Sequence, residues 1–416
     1  MWSMIRYEWK KIWGSRLTQL SVLGCALFLL FCTWANIRGL HATDAQGNQF
    51  WGLPAKEILK QNQTRMVLDQ ATVERVMQEY LDQAEQILEE AGEPADSENI
   101  SDAVSDKIWR TVYSPRGHLH MLISDAYEEE GSAGKTLTVY RENIGRDFYQ
   151  ARSKKSLEYT AYLEKNGKIT AQEAAYWNAR NHLAGEYSYG YRKGWEVLLE
   201  NLPWGILIMM IVCVGTAPVF AGEYQTKCDS LFLCMKYGRS RLPAAKTAAA
   251  WLYASVVYVG ITAIYSAVIL LILGTEGWDL PVQIYYPTVP VSYDVTMGQA
   301  CLLMFLLGYV FTLGLMSFTL WMSSLFKNPY GVIVAALLLL IVPAFLQSGS
   351  SGYLLEHILS LLPSKIINFS FINYTAYSVG GKVFSCLTAD LIVNGAAAVI
   401  FSAAGYAVFR RHQVNK

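Results

Sequence analysis

Between residues 38 and 200 the chain has no cysteine, and four of its most apolar stretches contain no Asp, Glu, Lys, Arg or His. The first absence excludes a disulfide framework, so a segment of that length must be held by a packed core. The second removes the intramembrane ionisable groups that ion-coupled transporters use as relays or cation ligands. An ion-driven pump is therefore disfavoured, although broken helices can still bind ions through backbone carbonyls. A complete phosphate-binding loop is also missing. "GSAGKT", Gly131 to Thr136, comes nearest, but the position five before Gly134 is Glu129, where the motif requires glycine. No Ser-His-Asp set or carboxylate pair with catalytic spacing emerges, and scattered acids in a helical segment form a solvated face. His118 and His120 are two apart, so on a helix they point to different faces and read as surface histidines rather than as a metal pair. Neither catalysis nor a metal or cofactor bound by this chain is expected.

What is present is apolar length. The chain has 416 residues, 53% of them hydrophobic, with zero formal net charge. Runs near 17–37, 203–221, 247–273, 298–325, 330–347 and 388–409 are 18 to 28 residues long, enough to cross a bilayer core of roughly 30 Å as helices. The expected fold is an all-α polytopic membrane protein with six transmembrane helices. Three regions follow: 1–37 with the first span, 38–200 as a separate domain, and 201–416 with spans 2 to 6. Although basic residues precede it, span 1 is too long for a signal-peptide core and lacks a clear cleavage site, so it reads as an uncleaved anchor. Asp390 falls near the outer edge of span 6, within reach of water. Small and hydroxylated residues, among them Gly24 in span 1 and Gly308, Thr312, Gly314, Ser317 and Thr319 in span 4, allow close helix packing or line a weakly polar path.

The N-terminal "WSMIRYEWKKIW" places Trp2, Ile5, Trp9 and Ile12/Trp13 on one helical face, with Arg6, Lys10 and Lys11 around the rest. This is the pattern of an interfacial elbow helix lying in the headgroup layer, with Trp2, Trp9 and Trp13 as its membrane-interface residues. Basic residues near the spans set orientation. With the N-terminus inside, the cytosolic pieces 1–16, 222–246, 326–329 and 410–416 carry thirteen Lys/Arg against Glu8, Glu223 and Asp229. Segment 38–200 carries 19 Lys/Arg and 26 Asp/Glu, which suits the outside. The expected location is the plasma membrane, with both termini cytosolic and 38–200 extracellular. All seven cysteines lie in spans, at their edges or in the 222–246 loop.

The extracellular domain is expected to be mainly helical. Ile58, Met66, Val73, Met77, Leu81 and Ile87 recur at helical spacing, and Thr170 with Glu173 match a capping box. Gly92-Glu-Pro94, Gly131 to Gly134 and Asn166-Gly167 mark breaks. N-x-[ST] sites begin at Asn62, Asn99, Asn368 and Asn373. Between spans 5 and 6, about 348–387, a semi-apolar segment too broken to span is expected to form a re-entrant hairpin on the outer side.

The segment "AGEYQTKCDSLFLCMKYGRSRLPAAK", Ala221 to Lys246, is basic yet has an apolar centre, Leu231 to Met235. Thr226 and Asp229 resemble a helix start, Lys236 and Gly238 a stop, and Pro243 the first turn of the next helix. The spacing predicts one short helix over about 227–237. Its apolar side, drawn from Cys228, Leu231, Phe232 and Met235, needs a cover of lipid or protein.

An elbow helix, six spans, an external domain after span 1 and a short cytosolic helix between spans 2 and 3 resemble permease subunits of ATP-binding-cassette transporters of the type-2 exporter class. Phe220, Glu223, Leu231, Gly238, Arg239 and Lys246 are similar to that family's Phe-x-x-Glu … Leu … Gly-Arg … Lys pattern. The resemblance implies a permease without its own ATPase. Its partners would be a separate ATP-binding-cassette ATPase subunit that holds the ATP and magnesium, a second permease half meeting it along spans 1 and 5, and the lipid bilayer. It implies no nucleic-acid partner. Glu223, Leu231, Phe232, Met235, Gly238 and Arg239 are then the ATPase-coupling residues of a coupling helix. The expected cargo is an amphiphile, either a peptide antibiotic, as in antimicrobial peptide resistance, or a lipid-like molecule. Substrate-binding residues are not identified. The alternatives are a membrane-anchored sensor of an external ligand and an ion extruder of the same superfamily.

Overall fold

The computed structural model describes residues 1–94, 100–128, 136–181, 185–288, 291, 293–346 and 352–412. Asn99, positions 131–135 of "GSAGKT" and the start of the expected hairpin at 348–351 lie outside them. Among the described residues, five helices are long and apolar enough to cross a membrane: Arg16–Gly39, Lys193–Gln225, Arg241–Leu273, Met297–Leu325 and Cys386–Arg411. The sixth apolar run forms the helix Pro329–Phe345, which has 17 residues. At 1.5 Å per residue it reaches only about 26 Å, short of a full hydrocarbon core. It stops early because Leu346 turns to an extended conformation just after Pro343.

The chain divides into two compact units. One contains Met1–Phe31, Leu198–Val268 and Cys301–Lys416; the other contains Cys32–Val197 and Ile269–Ala300.

Within the first unit, the second long helix is broken rather than straight. Leu202–Trp204 forms a single tighter turn, and the helix Gly205–Thr216 gives way at Ala217 to Pro218–Gln225. Proline has no N–H and its ring crowds the preceding turn, so backbone groups around residue 217 need partners from elsewhere. Ser323, on the helix Met297–Leu325, supplies them. Its Oγ accepts from the N–H of Phe220 at 3.0 Å and of Ala221 at 2.9 Å, and donates to the carbonyl of Ala217 at 2.6 Å. One buried hydroxyl thus stitches the break. Ser323→Ala is expected to leave these groups orphaned and to destabilise the unit by about 1–3 kcal/mol. A chemical-denaturation midpoint measured in detergent checks this, and Ser323→Thr should recover most of the loss.

The small residues of Met297–Leu325 serve packing, as their spacing suggests. A Cβ at Gly308 would collide with the Tyr258 hydroxyl, and one at Gly314 would meet the carbonyl of Asn394 at 3.2 Å. Ser317 accepts from Ser402 at 2.9 Å. Gly24 differs, having nothing within 4 Å of the position a Cβ would take. The helix Arg16–Gly39 leaves Leu20, Leu23, Leu27 and Leu30 exposed.

The second unit is mainly helical, with two short antiparallel ribbons among its described residues, His41–Thr43 with Gln49–Trp51 and Met66–Val67 with Ser188–Tyr189. Met66 is therefore a strand residue and leaves the helical series expected of it. The series instead divides into Leu53–Asn62 and Gln70–Ala91, because Asp69 caps the second helix by accepting from the Thr72 N–H at 2.7 Å. Gly92 ends that helix at φ +71°, a left-handed conformation suited to glycine. Its buried stripe includes Val73, Met77, Leu81, Ala84 and Leu88. Thr170 and Glu173 form both halves of the expected capping box.

The two histidines overturn one sequence expectation. They do face different ways, but neither is a surface residue. His120 is 3% exposed in a nest of Tyr80, Tyr113 and Tyr140, and Nδ1 lies 3.1 Å from the Tyr140 hydroxyl. His118 is partly buried against Arg192, whose side chain is wholly buried. The helix Gly117–Tyr127 is central to the unit, so both of its faces are covered; two-residue spacing alone carries no information about that.

Candidate functional site: a buried charge cluster beside a short apolar helix

Three segments of the first unit converge around a set of charges. The helix Trp2–Trp13 contributes Glu8 and Lys11, which lie three residues apart on one face. Glu223 sits in the last turns of Pro218–Gln225, and Lys246 two turns into Arg241–Leu273. Lys246 Nζ lies 2.6 Å from Glu223 Oε1 and 2.9 Å from Glu8 Oε2, and Lys11 Nζ reaches the same Glu223 oxygen at 2.5 Å. The Lys246 side chain is 0% exposed and that of Glu223 3%, while Lys11 remains half exposed. Burial acts to lower the Lys11 ammonium, but the bond and charge of Glu223, helped by Glu8 and Tyr7, hold it above the usual lysine value.

A buried group this highly charged is tolerated only when fully paired. Two lysines and two glutamates satisfy that condition and fasten the N-terminal helix to the ends of two span-length helices. Trp13 adds an edge-on contact with Tyr253 at 5.5 Å, and Trp9 packs on Trp13 at 5.8 Å. Of the three predicted interface tryptophans, only Trp2 projects freely, at 72% exposure; Trp9 and Trp13 are partly covered by protein.

The short helix is real but shorter than its sequence suggests, Asp229–Cys234. Thr226 does not start it. Its hydroxyl bonds back to the carbonyl of Gly222 at 2.9 Å and thereby closes the preceding helix. Lys227 then turns the chain at φ +57°, and Cys228 takes the cap position without capping the helix, its thiol donating back to the carbonyl of Thr226. The chain reverses again at Gly238, where a Cβ would fall on the carbonyl of Phe232, so only glycine fits. Pro243 does lie in the first turn of Arg241–Leu273.

This geometry sorts the predicted coupling residues. Leu231 and Met235 are exposed at 67% and 56%, and Arg239 is exposed beside them. Phe232 is partly buried and, with Met4, Tyr7, Tyr237 and Leu242, lines a groove of about 470 Å³ against the N-terminal helix. Glu223 and Gly238 face inward, as an ionic anchor and a tight turn. Leu233, which the sequence did not single out, is the residue that pins the helix inward. Asp229 accepts from His412 at 3.2 Å, tying the helix to the end of Cys386–Arg411.

Glu8 and Lys11 join the site only in three dimensions, and Lys246, part of the family-like pattern but not of the expected coupling residues, joins it as their partner. The available signal was Lys246 itself, a single cation in the run "AAKTAAA" that opens a membrane-length helix. Comparison of the chain with protein-family models, curated proteins and solved structures finds no match.

Proposed function

We propose that this chain is the permease half of an ATP-driven exporter. It would couple hydrolysis by a separate ATP-binding-cassette subunit, which carries ATP and magnesium, to efflux of an amphiphilic molecule such as a peptide antibiotic or lipid-like compound. In this reading six helices cross the plasma membrane, Pro329–Phe345 being the short one. Both termini are cytosolic, and the unit built mostly from 32–197 is extracellular. The observation that carries the reading is the short helix Asp229–Cys234. It offers Leu231 and Met235 to the outside while the four-charge cluster beside it locks two span-length helices together. An apolar pair held on so rigid a base suits a mechanical contact with another protein. A push on it is transmitted to Pro218–Gln225 and Arg241–Leu273 together, and the Ser323-stitched break supplies a hinge directly above. The exposed apolar face of Arg16–Gly39 supports a second permease half or lipid there.

A second reading, a sensor of an external ligand, is favoured by a cavity of about 800 Å³ in the other unit, walled by the stacked pair Trp109 and Tyr113. The two readings separate on one experiment. Leu231→Asp/Met235→Asp replaces only exposed side chains, so insertion into the membrane should be normal. Co-purification of an ATPase subunit in mild detergent should fall at least about tenfold, the equivalent of 1.4 kcal/mol of lost contact. Undiminished co-purification removes the coupling role, and wild-type chain that never recovers an ATPase favours the sensor.

A further inference from the structure

Asp390 contradicts the water-accessible place its sequence position suggests. It is 1% exposed in the first turns of Cys386–Arg411, because the chain from Tyr353 to Ser385 folds over it. Cys386 donates to its Oδ2 at 3.4 Å, whereas Oδ1 has no hydrogen-bond partner among the described residues. The carboxyl lines a cavity of about 200 Å³ together with Glu356, Ser360, Lys365, Asn373 and Thr375, and with the rings of Phe311 and Phe369. A buried carboxylate oxygen with no partner carries a large desolvation cost unless something completes it.

We infer that this cavity binds a primary alkylammonium group, with Asp390 as the counter-charge. Three features select that chemistry. Among the described residues no cation is bonded to the Asp390 carboxylate, and its one negative charge asks for one monovalent cation. Lys365 Nζ is already occupied with the carbonyl of Leu346 at 2.9 Å. An ammonium has three donors, matching the carboxylate, hydroxyl and amide oxygens of the lining, and its carbon tail suits the two aromatic rings. A bare sodium ion would leave most of the volume unfilled. A divalent metal is not indicated, since no group of three His, Cys, Asp or Glu side chains with ligand geometry exists among the described residues. Combined with the exporter reading, the site makes the cargo an amine-bearing amphiphile. That extension rests on the exporter reading; binding to the isolated chain does not.

The test uses the purified full chain in detergent, without any ATPase. n-Butylammonium chloride, compared with sodium and potassium chloride at equal ionic strength, should raise Tm by about 2 °C at tenfold saturation. Asp390→Asn should abolish the shift while unfolding no earlier than wild type without ligand. A second measurement needs no variant: dicyclohexylcarbodiimide modification of Asp390, followed by peptide mass spectrometry, should slow at least about tenfold in butylammonium, as expected when ligand is tenfold above Kd. No shift in wild type, an equal shift in Asp390→Asn, an equal shift with sodium, or undiminished modification each overturns the assignment.

Discussion

Replacing Lys246 with methionine is expected to cost about 3–5 kcal/mol, the usual penalty for breaking a buried ion pair from one side. Methionine fills the volume, so packing is not the cause. The loss comes from Glu223 and Glu8, both buried and 2.6 and 2.9 Å from the missing ammonium, now sharing only the half-exposed Lys11. In the second variant, Lys246→Met/Glu223→Gln, the cluster returns to one carboxylate and one ammonium. More than half the stability should return, although one negative charge has been removed as well. Denaturation midpoints of wild type, both single variants and the double variant in the same detergent form a complete cycle. If the two losses simply add, the cluster does not act as a unit. The same variants should also loosen the N-terminal helix, visible as faster amide exchange across Trp2–Trp13 while exchange in the second unit stays unchanged.

Much of the architecture was legible because it obeys one-dimensional rules. Of the six apolar runs expected to span, five form helices of spanning size, and capping and breaker residues placed Thr170 with Glu173 and the stop at Gly92 correctly. What sequence missed depends on chain reversal. Thr226 reads equally well as the start of one helix or the end of another, and the left-handed turn at Lys227 decides for the end. Burial of His118, His120 and Asp390 was invisible for a related reason. Each is covered by residues distant in the chain: His118 by Arg192, His120 by Tyr80 and Tyr140, and Asp390 by the segment Tyr353–Ser385. The candidate site lies between these extremes: its apolar residues stand in one short run, whereas its charges come from three segments.

Acid is expected to destabilise the second unit through partly buried His118 and buried His120. Desolvation, reinforced by the charge of Arg192, lowers His118 to about 4. Desolvation with Arg116 lowers His120 to about 3. An unfolded histidine titrates near 6.5, so between that value and the folded one the unfolded chain binds more protons. Stability is therefore intact above about pH 6.5 and declines as pH falls toward 4. At 1.36 kcal/mol per unit, each residue contributes about 3 kcal/mol of loss by pH 4. Hydrogen exchange along Gly117–Tyr127, corrected for the intrinsic pH dependence of exchange, reads this directly. His120→Phe suits the tyrosine nest and should remove about half of the acid loss. An acid limb unchanged in that variant would assign it to other groups.

The four-charge cluster has an electrical consequence as well. Glu8 and Glu223 balance Lys11 and Lys246, so the assembly is neutral. Moving one elementary charge through the whole of a 100 mV potential involves about 2.3 kcal/mol, but a neutral body moved through the same field exchanges none. If these four side chains move together across a membrane field, the field does no net work on them as a group. Lys246→Met leaves the remaining three with one net negative charge, on which such a field would act.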